Sequence, residues 1–420
     1  MSQLSQLAET LTGSEIVRLG NEIAIRIGRG EKIYNYTIGD FDPRIFPIPG
    51  ELEDAIVEAY RNKFTNYPPG DGVPELRQAV ASFIKDREGL EYATNEILIA
   101  AGGRPLIYTL FRTVVDPGDK VIYTVPSWNN NHYTHMCGGQ HCVIETTPEN
   151  NFMPTAADIA PYIDRAALLC LCTPQNPTGT TLAKAELEKI CDLVLEENRL
   201  RSDGKKLYVM FDQMYCTLTY GDTEHYNPVS LRPEMKAYTI FIDGISKAFA
   251  ATGVRVGWSL GPANVISKMR ALLGHIGAWS PMAEQVATAK YLLQKEAITA
   301  YLVSFKNELE ERLWAIYSGI AALKEKGYPV DAIAPQAAIY LTIKIDLAGK
   351  DVGGKVLSTQ ADVTEYLLNE ARLAIVPFYA FGADKQSPWY RLSVGTCRKE
   401  QIGEMLGMLE GALQKLAVLN

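Results

Sequence analysis

Short apolar runs alternate along this chain with longer stretches of helical period. Ile97–Ala100, Val121–Thr124, Leu168–Cys172, Leu207–Phe211, Tyr238–Ile242 and Val256–Leu260 are rich in β-favouring residues and show no polar alternation. Strands of that kind, separated by helices, predict a mostly parallel sheet covered on both faces. A helix is expected from about Arg104 to Val115, followed by a turn at Asp116-Pro-Gly-Asp119. From Glu284 to about Lys326 the period is almost continuously helical, with Leu292, Leu293, Ala297, Leu302, Leu309, Leu313 and Ile316 on the apolar side. A stretch this long can bridge two domains. Beyond it, Ala338–Ile345 and Tyr390–Val394 read as strands. Ile402, Met405, Leu406, Leu409, Leu413 and Leu416 mark an amphipathic C-terminal helix. A further helix, Glu15 to about Ile27, precedes Tyr34-Asn-Tyr-Thr-Ile-Gly39. The expected architecture is α/β: a large domain over about 50–300, and a small α+β domain made of both termini, 1–49 and 301–420.

Sheets of this type bind ligands in the crevice at the carboxyl ends of their strands. Trp128, Asn176, Asp212 and Lys247 each fall just past, or at, the end of an expected strand. The 420 residues suffice for two domains with cores of their own, and 47% hydrophobic with 21% charged residues is an ordinary globular composition. A net charge of −8 without any basic block argues against nucleic acid or an anionic membrane as partner. Met1–Thr10 has neither a basic region nor an apolar core, and no apolar run is long enough to span a bilayer. Seven scattered cysteines, mostly within apolar runs, suggest buried free thiols in a reducing cytoplasm. Cys170 and Cys172, one residue apart with no histidine close by, do not form a metal-binding pattern.

The segment Asp243-Gly-Ile-Ser246-Lys247-Ala-Phe-Ala-Ala-Thr-Gly253-Val-Arg255 carries the chemistry. A lysine past a strand end, partly buried and near other cations, can lose its proton and attack an aldehyde as a free amine. Arg255 adds a permanent planar charge suited to a phosphate. An aldehyde and a phosphate on one small molecule describe pyridoxal 5′-phosphate (PLP). The plain alternative is a solvated turn lysine and an arginine at the head of the next strand.

Six separated motifs weigh against that alternative: Tyr67-x-x-x-x-Gly72-x-x-x-Leu-Arg77, Pro126-Ser-Trp128, Asn176-Pro-Thr-Gly179, Asp212-x-x-Tyr215, Ser246-Lys247 with Arg255, and Tyr390-Arg391-Leu-Ser. In this order they resemble the class I/II aminotransferases, PLP-dependent enzymes of fold type I, over the chain from about Ile16 onward. The resemblance implies a seven-stranded type of sheet and a homodimer with shared active sites. It implies Lys247 as the Schiff-base lysine and proton shuttle, and Asp212 beside the pyridine nitrogen, whose proton a carboxylate must hold. Tyr215 and Asn176 would hydrogen-bond the ring oxygen, and Trp128 would stack on the ring. The phosphate would be held by the backbone of Gly103 and Arg104 at a helix start, by the Ser246 hydroxyl and by Arg255. Tyr67 would reach across the subunit interface. Arg391 would clamp the substrate carboxylate, assisted by the Gly39 amide and Asn176. One departure is Gly244, where many relatives place a serine, so one phosphate hydroxyl is absent. Some aspartate-type bacterial relatives carry a lysine at the position of Arg104 that meets the substrate's distal carboxylate. Arg104 would then favour aspartate or glutamate; the alternative is a guanidinium turned to solvent.

The expected activity is ping-pong transamination between an L-α-amino acid and a 2-oxo acid, with a PLP-dependent β- or carbon–sulfur lyase as the alternative on the same scaffold. A ligand sensor with a DNA-binding helix-turn-helix is disfavoured by the roughly 35 residues before Gly39. A dinucleotide enzyme is disfavoured because no Gly-x-Gly-x-x-Gly follows a strand.

Overall fold

The computed structural model of the protein describes residues 4–202 and 204–416. Seven strands form the large sheet: β1 (Ile97–Ala100), β2 (Lys120–Val125), β3 (Gln140–Glu145), β4 (Ala166–Cys172), β5 (Tyr208–Asp212), β6 (Thr239–Gly244) and β7 (Gly257–Leu260). Their spatial order is β1-β7-β6-β5-β4-β2-β3. Every pairing from β6 to β3 is parallel, while β7 runs antiparallel to both β6 and β1. The expected α/β sheet is therefore present, with one reversed strand. One strand goes beyond the sequence expectation. β3 lies at the edge and buries only Cys142 and Ile144 on alternate positions, so it lacks the unbroken apolar run of its neighbours.

Both faces of the sheet are covered. On one, Leu106, Leu110 and Phe111 of the helix Gly103–Val114 pack with Val121, Leu168 and Ile240 of the strands. On the other, Leu76, Val80, Ile190 and Val194 of the helices Pro74–Glu88 and Lys184–Leu200 pack with Leu169, Val209 and Phe241. A second, antiparallel sheet contains β8 (Val330–Ala332), β9 (Tyr340–Ile345), β10 (Val376–Pro377) and β11 (Trp389–Ser393), in the order β10-β11-β9-β8. It forms a separate small domain with its own core. Tyr34–Asn35 pairs in parallel with Leu373–Ala374, so both ends of the chain contribute to this part of the molecule. β9 starts at Tyr340 rather than at Ala338, because Ala338 holds a left-handed φ of 61° that an extended strand does not allow.

The helical stretch expected from Glu284 is two helices, Met282–Leu292 and Lys295–Glu325, broken at Leu293–Gln294. The second connects the two cores: Ile298 packs with the large sheet, and Phe305, Leu309 and Leu313 pack with the small one. No helix among the described residues is long and apolar enough to cross a membrane.

Candidate active site

The reversed β7 organises the carboxyl edge of the large sheet. β5 ends there at Asp212, and β6 runs out to Gly244 before the single helical turn Ile245–Ala248 that carries Ser246 and Lys247. Because β7 enters the sheet from this same edge, Arg255, just before it, stands beside them. Gly257 of β7 is registered with both Gly244 and Ala100, which brings the start of the helix Gly103–Val114 alongside. The approach is close. A Cβ on Gly102 would sit 2.3 Å from the Arg255 guanidinium, and Gly102 has a φ of 84°, so no side chain is tolerated there. Arg255 donates to the carbonyls of Thr252 (2.6 Å) and Ala101 (2.8 Å). These bonds aim the guanidinium at the helix start. Gly244 is equally constrained: a Cβ would come within 2.8 Å of Gly257 Cα and the Val256 carbonyl oxygen. The serine found at this place in many relatives does not fit this backbone without a shift.

A cleft of about 540 Å³ opens over this edge, with walls from the small sheet and the N-terminal segment. Gly39, Gly103, Arg104, Trp128, Asn176, Asp212, Tyr215, Ser246, Lys247, Arg255 and Arg391 all line it. Tyr67 does not. It is 83% exposed, with its ring edge-on to Trp279 at 5.6 Å.

Lys247 donates through Nζ to the Gly39 carbonyl at 2.5 Å. Burial brings its pKa down to about 8; Asp40 opposes the shift, and Arg391, Arg255 and Arg104 add to it. Asp212, with its carboxylate accepting from the Met214 amide at 3.1 Å, is pushed up to about 6 by burial, and the nearby Asp243 adds to the rise. Arg391 projects from β11, opposite Thr342 of β9, and is only 1% exposed. It donates to Asn176 Oδ1 (2.9 Å) and to the Thr37 carbonyl (2.6 Å), and its Nε is buried without a partner. Its guanidinium lies between the rings of Tyr340 and Phe381, at 4.7 and 4.8 Å. Arg104 stands at the mouth, exposed, its guanidinium 5.2 Å from the centre of the Trp128 ring.

The charges of the cleft do not balance. Lys247, Arg104, Arg255 and Arg391 face two lining carboxylates, Asp40 and Asp212, a formal 4 − 2 = +2. Among the described residues none of the four cations belongs to an ion pair, and Asp40 is bonded instead by Thr252 at 2.6 Å. A buried guanidinium without a counter-charge is costly. The site is therefore suited to two anions, a phosphate near Arg255 and the helix start and a carboxylate at Arg391, and this donor set fits PLP with an amino-acid substrate. The clustered Glu88, Cys216 and Asp243 lie outside the cleft, and the Arg87 guanidinium sits between the two carboxylates at 2.5 and 2.6 Å.

Asp40, Thr252 and Tyr340, which no sequence motif marks as site residues, also line the cleft. Tyr340 lies two residues from the position opposite Arg391, on the same face of the paired strands, so strand pairing would have exposed it.

A mostly parallel sheet with a half-buried lysine and an aspartate at its carboxyl edge, in a cleft lined by uncompensated arginines, defines an enzyme site for anionic, aldehyde-bearing chemistry. The family model "Aminotransferase class I and II" matches residues 44–409, and the chain belongs to this family of PLP-dependent transaminases. It is 30% identical to the aspartate aminotransferase of a Bacillus species, over 98% of each chain. It is also 30% identical to the aspartate/prephenate aminotransferase of Thermus thermophilus, over 97% of this chain and 100% of that protein. The crystal structure of the Rhizobium meliloti aspartate aminotransferase superposes with a TM-score of 0.88 at 26% identity, covering 99% of this chain and 100% of the other. The protein is thus an aminotransferase that carries out PLP-dependent transamination; these relatives do not favour the lyase alternative.

Proposed function

We propose that this cleft transfers the amino group of a dicarboxylic L-α-amino acid, aspartate or glutamate, to a 2-oxo acid, with PLP bound through Lys247. The observation that carries the reading is the convergence in one cleft of Lys247, Asp212 and three arginines without ion-pair partners among the described residues. PLP supplies an electron sink that stabilises negative charge developing at the substrate Cα. Asp212 would hold the proton on its ring nitrogen. Tyr215 and Asn176 would hold its ring oxygen, and Trp128 would cover the ring. Ser246, Arg255 and the amides of Gly103 and Arg104 would hold its phosphate. Arg391 would bind the substrate α-carboxylate with Asn176 and the Gly39 amide, placing Cα in reach of Lys247. Once its amine is freed, Lys247 would take the Cα proton and return it on the far side of the transfer.

Two features support the substrate class. Arg104 lines the cleft and is exposed, and relatives matched over 90% or more of this chain are named aspartate aminotransferases. Tyr67 supports a homodimer with shared sites, since it stands exposed beside Trp279 and outside its own chain's cleft. The seven cysteines are free, which accords with a cytoplasmic setting. We place the domain division at about residues 50 and 300. Borohydride reduction of the PLP-loaded protein followed by peptide mapping tests the assignment: the pyridoxyl group is expected on Lys247, and a label on another lysine overturns it.

A further inference from the structure

Tyr215 and Tyr340 form a buried pair of phenols, their hydroxyl oxygens 2.6 Å apart and their rings edge-on with centroids 5.5 Å apart. The Tyr340 ring also lies beneath the Arg391 guanidinium, 4.7 Å away. Tyr215 and Arg391 come from opposite walls of the cleft, one following β5 of the large sheet and the other within β11 of the small one. Tyr340, on β9, touches both.

We infer that Tyr340 is a positioning residue that couples the carboxylate clamp Arg391 to Tyr215, so that filling the clamp changes how strongly Tyr215 holds the cofactor's ring oxygen. This rests on the PLP reading above. The direction follows from counting hydrogens. A tyrosine hydroxyl has one hydrogen to donate. If Tyr215 gives its hydrogen to the ring oxygen, the bond between the two phenols must be donated by Tyr340. A donated hydrogen bond polarises the acceptor hydroxyl and strengthens the bond that it donates in turn. Burial raises the Tyr340 pKa, and the Arg391 charge over its ring opposes that rise, which makes the phenol a better donor than it would be without the arginine. A carboxylate bound on Arg391 offsets that charge, and both hydrogen bonds in the chain weaken. The ring oxygen then becomes more basic, so the bound cofactor keeps its proton to higher pH.

The visible absorbance of the PLP-loaded protein, titrated with pH, reads this proton directly and does not depend on turnover. Tyr340→Phe keeps the ring under Arg391 and removes only the hydroxyl. It should raise the titration midpoint by about half a unit, the scale of one strengthened hydrogen bond in a chain. Tyr215→Phe should raise it more. In the double variant the Tyr340→Phe increment should vanish, because the link it feeds is gone. Succinate, which carries carboxylates but no amine, should raise the midpoint of the unsubstituted protein and raise that of Tyr340→Phe by less. A Tyr340→Leu variant gives the same reading should Tyr340→Phe fail to fold. A change in thermal stability with an unmoved midpoint makes Tyr340 merely structural and overturns the coupling. Equal increments with and without the Tyr215 hydroxyl also overturn it, while leaving the PLP assignment intact. If the unsubstituted protein gains no such absorbance with PLP, both readings fall.

Discussion

Lys247 Nζ lies 2.5 Å from the carbonyl oxygen of Gly39, a bond that joins the helical turn after β6 to the N-terminal segment. The lysine is thereby held at the sheet edge by a single neutral acceptor rather than by a carboxylate. That leaves its charge poorly compensated, and burial lowers its pKa to about 8.

The reactivity of the cofactor-free protein should show this directly. Only the unprotonated amine attacks an aldehyde, so the rate of PLP capture follows the neutral fraction of Lys247. The rate should climb about tenfold per pH unit below the pKa and level off above about 8, whereas an ordinary lysine would still be climbing near pH 10. Asp40 favours the protonated amine, so Asp40→Asn should move the break to lower pH. Stopped-flow absorbance between about pH 6 and 10 measures both. A rate still rising above about pH 9 would show that the lysine is unperturbed.

Asp212 makes a prediction of opposite sign for stability and for chemistry. Burial raises it from the ordinary 3.8 to about 6, so between these values the folded, cofactor-free protein binds more protons than the unfolded chain. Stability therefore falls as pH rises through that window, and the ionised carboxylate is a burden at neutral pH until a cation joins it. Asp212→Asn removes the burden. Thermal unfolding of the cofactor-free variant at pH 7 should be no earlier than that of the parent. Turnover should fall by about a hundredfold or more, because the charge opposite the ring nitrogen is gone. Earlier unfolding together with preserved turnover would make Asp212 a structural residue.

The parts legible in the sequence were those that local chemistry dictates. Unalternating runs marked the buried strands, and their ends marked Asp212, Asn176 and Lys247, since a parallel sheet exposes only its carboxyl edge to ligand. What escaped depends on long-range placement. The reversal of β7 leaves no trace in its composition, yet it is what sets Arg255 beside Gly102. β3 was missed because an edge strand exposes alternate positions such as His141 and Val143. The helix break at Leu293–Gln294 carries neither glycine nor proline to announce it. Tyr340 enters the cleft only through the pairing of β9 with β11, and Asp40 through its bond to Thr252, 212 positions along the chain.

Arg104 is the proposed partner of a second substrate carboxylate. Its backbone begins the helix Gly103–Val114, where the free amides favour an anion, and its side chain lines the cleft mouth over Trp128. The guanidinium makes no ion pair among the described residues and is exposed, so it is free to swing from the indole toward a second carboxylate at modest cost. A charge-assisted contact of this kind contributes about 1.5–3 kcal/mol, or roughly ten- to a hundredfold in kcat/KM. Arg104→Ala should lower kcat/KM by that factor for aspartate and glutamate and leave alanine and leucine nearly unchanged. The backbone amide survives the substitution, so PLP affinity should be nearly constant. An equal loss for all donors, accompanied by weaker PLP binding, would assign the side chain to the phosphate and end the case for dicarboxylic selectivity.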